Sequence, residues 1–496
     1  MNIHQMIKRF SLCLLVWCTL AVAPTFAQTI THVPLFTFDG DSSGDQLGFE
    51  VSGAGDVNGD GFADLIAGAP FDDNNGTSSG SARVLSGIDG SVLYDFFGDL
   101  AGDLFGWSVS GAGDVNGDGF ADLIVAAPTN DSMNAPNGFA RVFSGADGSV
   151  LYTLGVDSTI DFFGRAISGA GDVNGDGFAD LIVGLPIGNS ARVFSGVDGS
   201  VIHNIVGVSG DLFGRTVSDA GDINGDGFAD LIVGAPQEDT INGVGSGSVR
   251  VFSGVDGSLL HTFNGDSAGD GLRAVSGAGD VNGDGFDDLI AGANGDDNNA
   301  NNSGLARVFS GVDGSVLYTF EGDSSVDAFG LGELMGGSVS GAGDVNGDGF
   351  ADLIVGSPGA DPNGQNSGRA RVFSGADGSV IYTLDGDSSD GFFGDTFGTS
   401  VSGAGDVNGD GVADFVVGAL RGGANGGGYV RLFVSQITEP FILGDCNQDG
   451  VVDFADIPAF IEILITDSYL LEADVNPDDV VNTEDIDPFI AILIAS

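Results

Sequence analysis

The chain has 496 residues, of which 71 are Asp or Glu and only 14 are Lys or Arg, giving a formal net charge of −57. Such a polyanion is repelled by the phosphates of nucleic acids and by anionic lipid, which excludes both as direct partners. An apolar content of 42%, with 36 Phe, excludes a disordered chain, because enough side chains are present to form a core. The length requires a large toroidal domain or several domains.

The first 27 residues have the features of a secretory signal peptide. Lys8 and Arg9 precede an apolar run over residues 10–23, and a small residue, Ala27, ends the segment. A membrane anchor would need about 20 apolar residues, and no later segment is apolar enough to span a bilayer. We therefore expect cleavage after Ala27 and a protein that is secreted or held at the cell surface. The remaining 469 residues carry 12 Arg, no Lys and a net charge of −59.

A nine-residue sequence motif occurs seven times in the chain. Its first copy reads Asp-Val-Asn-Gly-Asp-Gly-Phe-Ala-Asp, and the copies begin at residues 56, 114, 172, 222, 280, 344 and 406. Each copy is followed by an apolar run and then by two β-prone segments around a Gly/Asp turn, a pattern typical of a hairpin. Each repeat therefore predicts four short strands, which is the content of one β-propeller blade.

The ends of the repeat array predict a closed ring rather than an open solenoid. Six hairpin units are complete, whereas the seventh is divided between residues 429–433 and residues 33–38. Joining these halves completes the seventh blade and leaves no exposed sheet edge for a cap to cover. The predicted fold is therefore an all-β seven-bladed β-propeller over residues 30–436.

The repeated nine-residue motif has the residue types and spacing of a calcium-binding loop. Oxygen-bearing side chains stand at positions 1, 3, 5 and 9, Gly at position 6 permits a sharp turn, and the carbonyl of position 7 adds a ligand. Mg²⁺ prefers fewer protein ligands than Ca²⁺, and Zn²⁺ would need His or Cys. The alternative is that these residues only form turns, but a turn requires no such fixed set of three Asp and one Asn.

Every copy supplies five predicted ligands, of which position 7 contributes only its backbone carbonyl. The seven sets are Asp56, Asn58, Asp60, Phe62 and Asp64; Asp114, Asn116, Asp118, Phe120 and Asp122; Asp172, Asn174, Asp176, Phe178 and Asp180; Asp222, Asn224, Asp226, Phe228 and Asp230; Asp280, Asn282, Asp284, Phe286 and Asp288; Asp344, Asn346, Asp348, Phe350 and Asp352; and Asp406, Asn408, Asp410, Val412 and Asp414.

These repeats resemble the FG-GAP repeat family, which includes the seven-bladed propeller of integrin alpha subunits. The family pattern begins with Phe-Gly, which we identify at residues 105–106, 163–164, 213–214, 329–330 and 397–398, and ends with Gly-Ala-Pro, as at residues 68–70. Blade five departs from the pattern with Gly271-Leu272-Arg273. The resemblance implies that calcium ions brace the blades and that a partner, an extracellular protein or a glycan, binds elsewhere on the propeller.

A second calcium motif follows a linker at residues 437–442. Residues 443–496 contain two loops with oxygen ligands at positions 1, 3, 5, 9 and 12, each followed by an apolar pattern of helical spacing. The predicted ligands are Asp445, Asn447, Asp449, Val451, Asp453 and Asp456 in the first loop and Asp474, Asn476, Asp478, Val480, Asn482 and Asp485 in the second. With the seven loops of the propeller, this gives about nine calcium sites.

Two loop-helix units of this kind resemble a dockerin, an EF-hand-type module that attaches secreted proteins to a cohesin. The resemblance implies a small all-α module and a cohesin-like partner. Loop positions 10 and 11, which set the choice of cohesin in dockerins, hold Phe454-Ala455 and Thr483-Glu484 rather than a repeated hydroxyl pair. A calcium-stabilised C-terminal cap therefore remains an alternative.

The sequence shows no nucleophile elbow, phosphate loop or zinc-ligand set. His203 and His261 stand where other copies have Tyr, so we expect half-buried strand residues. Glu333 and Glu238-Asp239 are acids unique to one blade that could supply a glycosidase pair, but we expect them to be solvated. The sequence favours a secreted, non-enzymatic binding or adhesion scaffold. The alternative is a carbohydrate-active enzyme or a lectin that takes part in extracellular polysaccharide catabolism.

Overall fold

The computed structural model describes residues 29–128, 138–155, 162–323, 332–387 and 394–438. Over these residues the chain forms 28 strands in seven four-stranded sheets, which confirms the predicted all-β seven-bladed propeller. The predicted signal peptide and the dockerin-like module with its twelve ligands lie outside the described residues. The described part contains no helix of the length and apolarity needed to cross a membrane.

Each blade is one four-stranded sheet, and in blades one to six the strands follow one another in the chain from the innermost to the outermost, whereas the outermost strand of blade seven is the N-terminal β1. The strands are, for blade one, β2 (Val51–Gly55), β3 (Asp64–Ala69), β4 (Ser81–Leu85) and β5 (Val92–Phe97); for blade two, β6 (Ser108–Gly113), β7 (Asp122–Ala127), β8 (Phe139–Phe143) and β9 (Val150–Gly155); for blade three, β10 (Ile167–Gly171), β11 (Asp180–Leu185), β12 (Ser190–Phe194) and β13 (Val201–Val206); for blade four, β14 (Thr216–Gly221), β15 (Asp230–Ala235), β16 (Ser248–Phe252) and β17 (Leu259–Asn264); for blade five, β18 (Ala274–Gly279), β19 (Asp288–Ala293), β20 (Leu305–Phe309) and β21 (Val316–Glu321); for blade six, β22 (Val339–Gly343), β23 (Asp352–Ser357), β24 (Arg369–Phe373) and β25 (Val380–Asp385); and for blade seven, β26 (Ser400–Gly405), β27 (Asp414–Ala419), β28 (Tyr429–Thr438) and β1 (Thr29–Asp39).

The position of a strand within its blade follows from its hydrophobic pattern. Second strands such as β3 are runs of small and branched apolar residues, and all six residues are buried because neighbouring blades cover both faces. In a fourth strand such as β5 only Phe96 is buried, and the other five residues are partly or fully exposed, as expected for the outer edge of a sheet. Innermost strands contact one another in sequence, and β2 contacts both β6 and β26, so the ring is continuous around a central channel.

The core is divided into seven clusters, each shared by two adjacent blades. One cluster combines Ile66 and Val84 of blade one with Leu123 and Phe105 of blade two. Blades approach so closely that a Cβ on Gly68 would lie 2.0 Å from the carbonyl oxygen of Gly106, which explains the glycine in this strand. Because each cluster belongs to two blades, no blade has a complete core of its own.

The seventh blade joins the two ends of the propeller, as the divided hairpin predicted. Strand β1 lies beside β28, and the Gly40 N–H donates to the Gly428 carbonyl at 2.9 Å. His32 is buried at the start of β1, where its ring stacks on Phe415 at 4.9 Å and its Nε2 lies 3.0 Å from the Ala413 carbonyl oxygen. Strand β1 therefore closes the ring through backbone pairing and a buried aromatic contact.

One motif assignment is wrong in blade six. Phe329-Gly330, assigned from the sequence as the Phe-Gly pair, falls in residues 324–331, outside the described residues. Met335 occupies the equivalent place, since it bridges Gly304 as Phe397 bridges Gly368. Its side chain is fully buried in the cluster shared by blades five and six. The position requires an apolar side chain that fills this space, and a flexible Met fills it as well as Phe.

Candidate metal-binding loops

The seven copies of the nine-residue motif form seven loops of the same conformation at one end of the ring. Each loop joins the innermost strand of a blade to its second strand, as residues 56–64 join β2 to β3. Because the innermost strands all run in the same direction around the channel, the loops share one face, called here the loop face. The opposite face carries the connections between second and third strands and those between blades.

Side chains at positions 1, 3 and 5 of each loop hold its backbone. In blade one, Asp56 Oδ1 accepts hydrogen bonds from the N–H groups of Gly59 and Asp60 at 2.6 and 3.1 Å, and Oδ2 accepts from Gly61 at 2.9 Å. Asn58 Oδ1 accepts from the Asp60 N–H at 2.8 Å. The first Asp makes the same contacts in the other loops, as in blade four. The spacing of the nine-residue motif is therefore fixed in all seven copies by hydrogen bonds between its side chains and its own backbone.

The Asp at position 9 differs from the others because it is fully buried. Asp64 has no exposed surface, and it accepts hydrogen bonds from the Val57 N–H at 2.9 Å and from the Gly87 N–H of the hairpin turn at 3.1 Å. Burial raises the pKa of Asp64 to about 6, and the nearby charge of Asp60 adds to this effect. A buried carboxylate with an acidic neighbour is costly on its own, and a bound cation would stabilise it.

Neighbouring loops interlock around the ring. The Phe120 ring of blade two covers Gly59 of blade one, where a Cβ would lie 2.4 Å from the ring. The Ala121 N–H also donates to the Asp56 carbonyl of blade one at 3.0 Å. Phe at position 7 thus packs on the preceding loop, a role that the sequence did not predict. Blade seven has Val412 at this position, and its side chain is buried.

The side chains of each loop are of the types that bind a divalent cation. Three carboxylates fall within nine residues. In the described part of the chain no Arg forms an ion pair with a loop Asp. His32 Nε2 lies 3.6 Å from Asp414 Oδ1, and burial lowers the pKa of His32, which disfavours its charged form. A carboxylate offers about four lone-pair positions, so these side chains retain acceptor capacity beyond the N–H groups that they bind. Within the residues that the structure describes, no group of three or more His, Cys, Asp or Glu side chains is placed to hold a metal ion.

The end of the channel opposite the loop face is lined by residues that were not predicted from the sequence. Within two residues of the start of the innermost strands stand Phe49 and Glu50 in blade one, Trp107 in blade two, and Arg165 in blade three. Phe49 and Trp107 have ring centroids 4.5 Å apart, and the Arg165 guanidinium lies 4.7 Å from the Trp107 ring centroid. Glu50 accepts a hydrogen bond from Ser108 Oγ at 3.2 Å, and burial raises its pKa to about 8.

Replacing Glu50 with Gln is expected to stabilise the protein at pH 8 and to have no effect at pH 4. The folded protein retains a proton on Glu50 up to a pKa of about 8, whereas the unfolded chain loses it near the ordinary value of 4.5. Its contribution to the free energy of unfolding therefore falls as the pH rises between these values and is constant above them. Since Glu50 keeps some solvent contact, we expect a gain of about 1–3 kcal/mol at pH 8.

Urea denaturation of Glu50→Gln and the parent in saturating Ca²⁺ measures this gain. Gln can still accept from Ser108, and the difference between the two proteins cancels the titration of all other carboxyl groups. Equal stability of the two proteins at pH 8 would contradict the expectation.

The other sequence candidates contact a neighbouring blade or an arginine, except Asp239, which is exposed as expected and accepts a hydrogen bond from the Gly245 N–H at 2.9 Å. His203 and His261 are half-buried strand residues, as predicted, and their Nε2 atoms lie 2.6 and 2.8 Å from the carbonyl oxygens of Gly254 and Gly311 in the next blade. Tyr152 makes the equivalent contact with Gly196 at 2.8 Å. These side chains hold adjacent blades together.

The expectation that Glu333 and Glu238 are solvated is wrong. Glu333 is buried, lies 3.3 Å from Arg371 and accepts the Asp323 N–H at 2.9 Å. Glu238 pairs with Arg250 and accepts a hydrogen bond from Ser248. Both acids are engaged by arginines of the third strands, where burial favours pairing over hydration. The repeated Arg of the third strand was the signal for such pairs, as Arg83 with Asp41 at 2.8 Å illustrates.

The fold and the loops together define a class of protein: a closed seven-bladed β-propeller with one Asp-rich loop on the same corner of every blade. The chain belongs to the FG-GAP repeat family. The family model matches more than half of the chain, at residues 48–85, 105–150, 163–202, 213–252, 273–309, 335–373 and 397–433. The matched segments correspond to the seven blades of the structure, and the sixth begins at Met335 as the packing indicates.

Similar curated proteins are integrin alpha subunits. Integrin alpha-5 of Xenopus laevis is 31% identical over 169 residues, and integrin alpha-PS5 of Drosophila melanogaster is 32% identical over 168 residues. Integrin alpha-V of Gallus gallus is 29% identical over 153 residues. The matches cover 29–31% of this chain and 14–16% of those proteins, so the chain spans less than a fifth of the length of these relatives.

Proposed function

We propose that this protein is a secreted, calcium-stabilised binding scaffold that adheres to an extracellular protein or glycan and is attached through its C-terminal module. The observation that carries the proposal is the set of seven near-identical Asp-rich loops on one face of a closed propeller. Their donors are hard oxygens, which suit Ca²⁺ better than Mg²⁺ or Zn²⁺. The opposite face, whose connections differ in length and composition between blades, is then available for the partner.

A non-enzymatic role is supported by how the acidic side chains are used. The two blade-specific acids that could have formed a glycosidase pair are both held by arginines, Glu333 by Arg371 and Glu238 by Arg250. The repeated acids belong to the loops. The relatives, integrin alpha subunits, share the propeller repeats, which favours adhesion over catalysis for this chain.

Removing one loop ligand is expected to reduce the calcium stoichiometry by one. Asp172→Ala deletes the position 1 carboxylate of blade three, which accepts three N–H groups of its loop. Asp198→Ala is the matched control, because Asp198 lies in a hairpin turn of the same blade and also accepts an N–H, that of Ser200 at 2.9 Å. Calorimetric titration should give nine ions for the parent, eight for Asp172→Ala and nine for Asp198→Ala. An equal count in all three proteins would contradict the loop assignment.

The adhesion role is tested by binding of the full chain to extracellular polymer from cultures of the producing organism. We expect binding in Ca²⁺ that is lost in chelator, with no sugar released from a panel of polysaccharides. Treating the polymer with protease or with periodate separates a protein partner from a glycan. The double variant Asp445→Ala, Asp474→Ala tests the tail, since a docking module would lose its partner while the propeller kept its own. Released sugar would favour the enzyme alternative.

A further inference from the structure

Three consecutive blades place an arginine at the same position of the channel end opposite the loop face. Arg165 lies two residues before the first residue of β10 in blade three. Arg215 and Arg273 directly precede β14 and β18, the innermost strands of blades four and five. The N–H groups of Arg215 and Arg273 donate to equivalent carbonyls of their second strands, those of Gly234 and Gly292. The three side chains are therefore neighbours around the channel rim, and all three are half-buried.

These arginines differ from seven of the eight arginines of the third strands, all except Arg192, in forming no ion pair with an acid. Seven arginines of the third strands form ion pairs, namely Arg83, Arg141, Arg250, Arg307, Arg369, Arg371 and Arg431. Within the described ranges, no carboxylate forms an ion pair with Arg165, Arg215 or Arg273. A half-buried guanidinium without a counter-ion is costly, and the cost is greater where several stand together.

One other group beside Arg165 is also a donor without an acceptor. The indole N–H of Trp107 is buried and has no hydrogen-bond partner in the described part of the chain. The Arg165 guanidinium lies over the same ring, 4.7 Å from its centroid. Glu50 is an acid whose charge interacts with that of Arg165, but its pKa of about 8 leaves it mainly protonated at neutral pH. Burial and the like charges of its neighbours Arg215 and Arg273 lower the pKa of Arg165. The rim thus holds an excess of positive charge and of N–H donors.

We propose that this rim, formed by Arg165, Arg215 and Arg273, binds a carboxylate presented by a protein partner. Arginine offers a planar pair of N–H donors that matches a carboxylate. Insertion of one acidic side chain supplies the missing acceptors and neutralises part of the charge. The proposal deepens the proposed function, because it names the chemistry by which the face opposite the loops recognises its partner.

The charge of the whole molecule favours a single carboxylate over a polyanion. The chain carries a net charge of −57, so a sulfated polysaccharide or a run of uronates is repelled before it reaches the rim. One acidic side chain on a neutral or basic protein surface avoids this repulsion. Such a ligand can enter a local positive site on a strongly negative protein.

Trp107 allows the site to be tested directly. The chain has two tryptophans, Trp17 and Trp107, so Trp17→Phe leaves Trp107 as the single tryptophan, next to the proposed ligand. The full chain with this change is titrated in Ca²⁺ with N-acetylaspartate N-methylamide, glucuronate or sulfate at constant ionic strength, while the indole emission is recorded. The neutral N-acetylasparagine N-methylamide is the ligand control. Acetate and chloride set the non-specific baseline.

Saturable binding of the aspartyl probe is expected, with an affinity at least tenfold lower in Arg215→Gln and unchanged in Arg192→Gln. Arg192 is a matched control because it also lacks an ion pair and contacts Asn204 at 3.2 Å. Arg215→Lys keeps the charge but loses the paired donors, so a partial loss is expected. Melting curves of all variants check folding.

The absence of saturable binding, or equal binding by Arg215→Gln and the parent, would overturn the proposal. Tighter binding of sulfate or glucuronate than of the aspartyl probe would also overturn it in favour of an acidic glycan. The outcome is separable from that of the proposed function, because adhesion to extracellular polymer can fail while the probe still binds, and the reverse can also occur.

Discussion

Chelation of calcium is expected to lower the melting temperature of this protein by roughly 20 °C. A ligand present at one hundred times its dissociation constant stabilises the folded state by about 2.7 kcal/mol per site, and the propeller has seven loops of one design. For a domain of about 400 residues, each kcal/mol corresponds to about 1 °C. The loss is large because each loop is left with three Asp side chains, one of them buried and next to another.

Differential scanning calorimetry in CaCl₂ and in EGTA measures the shift. Returning excess Ca²⁺ should restore the original transition, whereas excess Mg²⁺ in EGTA should not, since Mg²⁺ needs a smaller and more regular set of ligands. A change of only one or two degrees in EGTA would show that the loops are stable turns without a structural ion.

Loss of the aromatic anchor of β1 is expected to give the second largest effect. Phe36 packs in the cluster shared by blades seven and one, and its ring lies against the turn at Gly90, where a Cβ would be 3.1 Å away. Phe36→Ala removes this contact at the junction where the ring closes. Because Phe36 is only partly buried, we expect a loss of about 2–3 kcal/mol, less than for a fully buried Phe. Leu35→Ala on the same strand is the control, because Leu35 is 41% exposed; we expect it to cost less than about 1 kcal/mol.

Equilibrium urea unfolding of both variants in saturating Ca²⁺ compares these losses. Opening of the ring would also expose the edge of β28, so self-association of Phe36→Ala at high concentration is a second expected result. If the two variants had equal stability, closure through β1 would not limit the stability of the ring.

The repeats made the blade count and the closure predictable from the sequence. Seven copies fix seven sheets, and the divided hairpin is the chemical signature of a ring that uses both ends of the chain. The loops were predictable because their side chains bind their own backbone, so the spacing from Asp56 to Asp64 is a local property. The family match and the structure agree on this part.

Features that depend on neighbouring blades were not predictable in the same way. Met335 replaces Phe in a space formed by two blades, so a Phe-Gly pair a few residues earlier was a better textual match than the correct residue. Glu333 was taken for a solvated acid because Arg371, its partner, lies 38 positions away. The rim arginines occupy one repeat position in three consecutive copies, which is visible in the sequence, but their lack of partners is visible only in three dimensions.

Closure by β1 also determines how the molecule would carry mechanical load. Both ends of the propeller lie at the loop of blade seven, where His32 lies against Ala413 and the Ser435 N–H donates to Asp414 at 2.7 Å. Tension between the two ends would open β1 from β28 one hydrogen bond at a time. Tension between the end of β28 and the opposite face would instead act along the strands and load all their hydrogen bonds together. A protein held at one end and pulled by a ligand on the far face would resist force in its stronger direction.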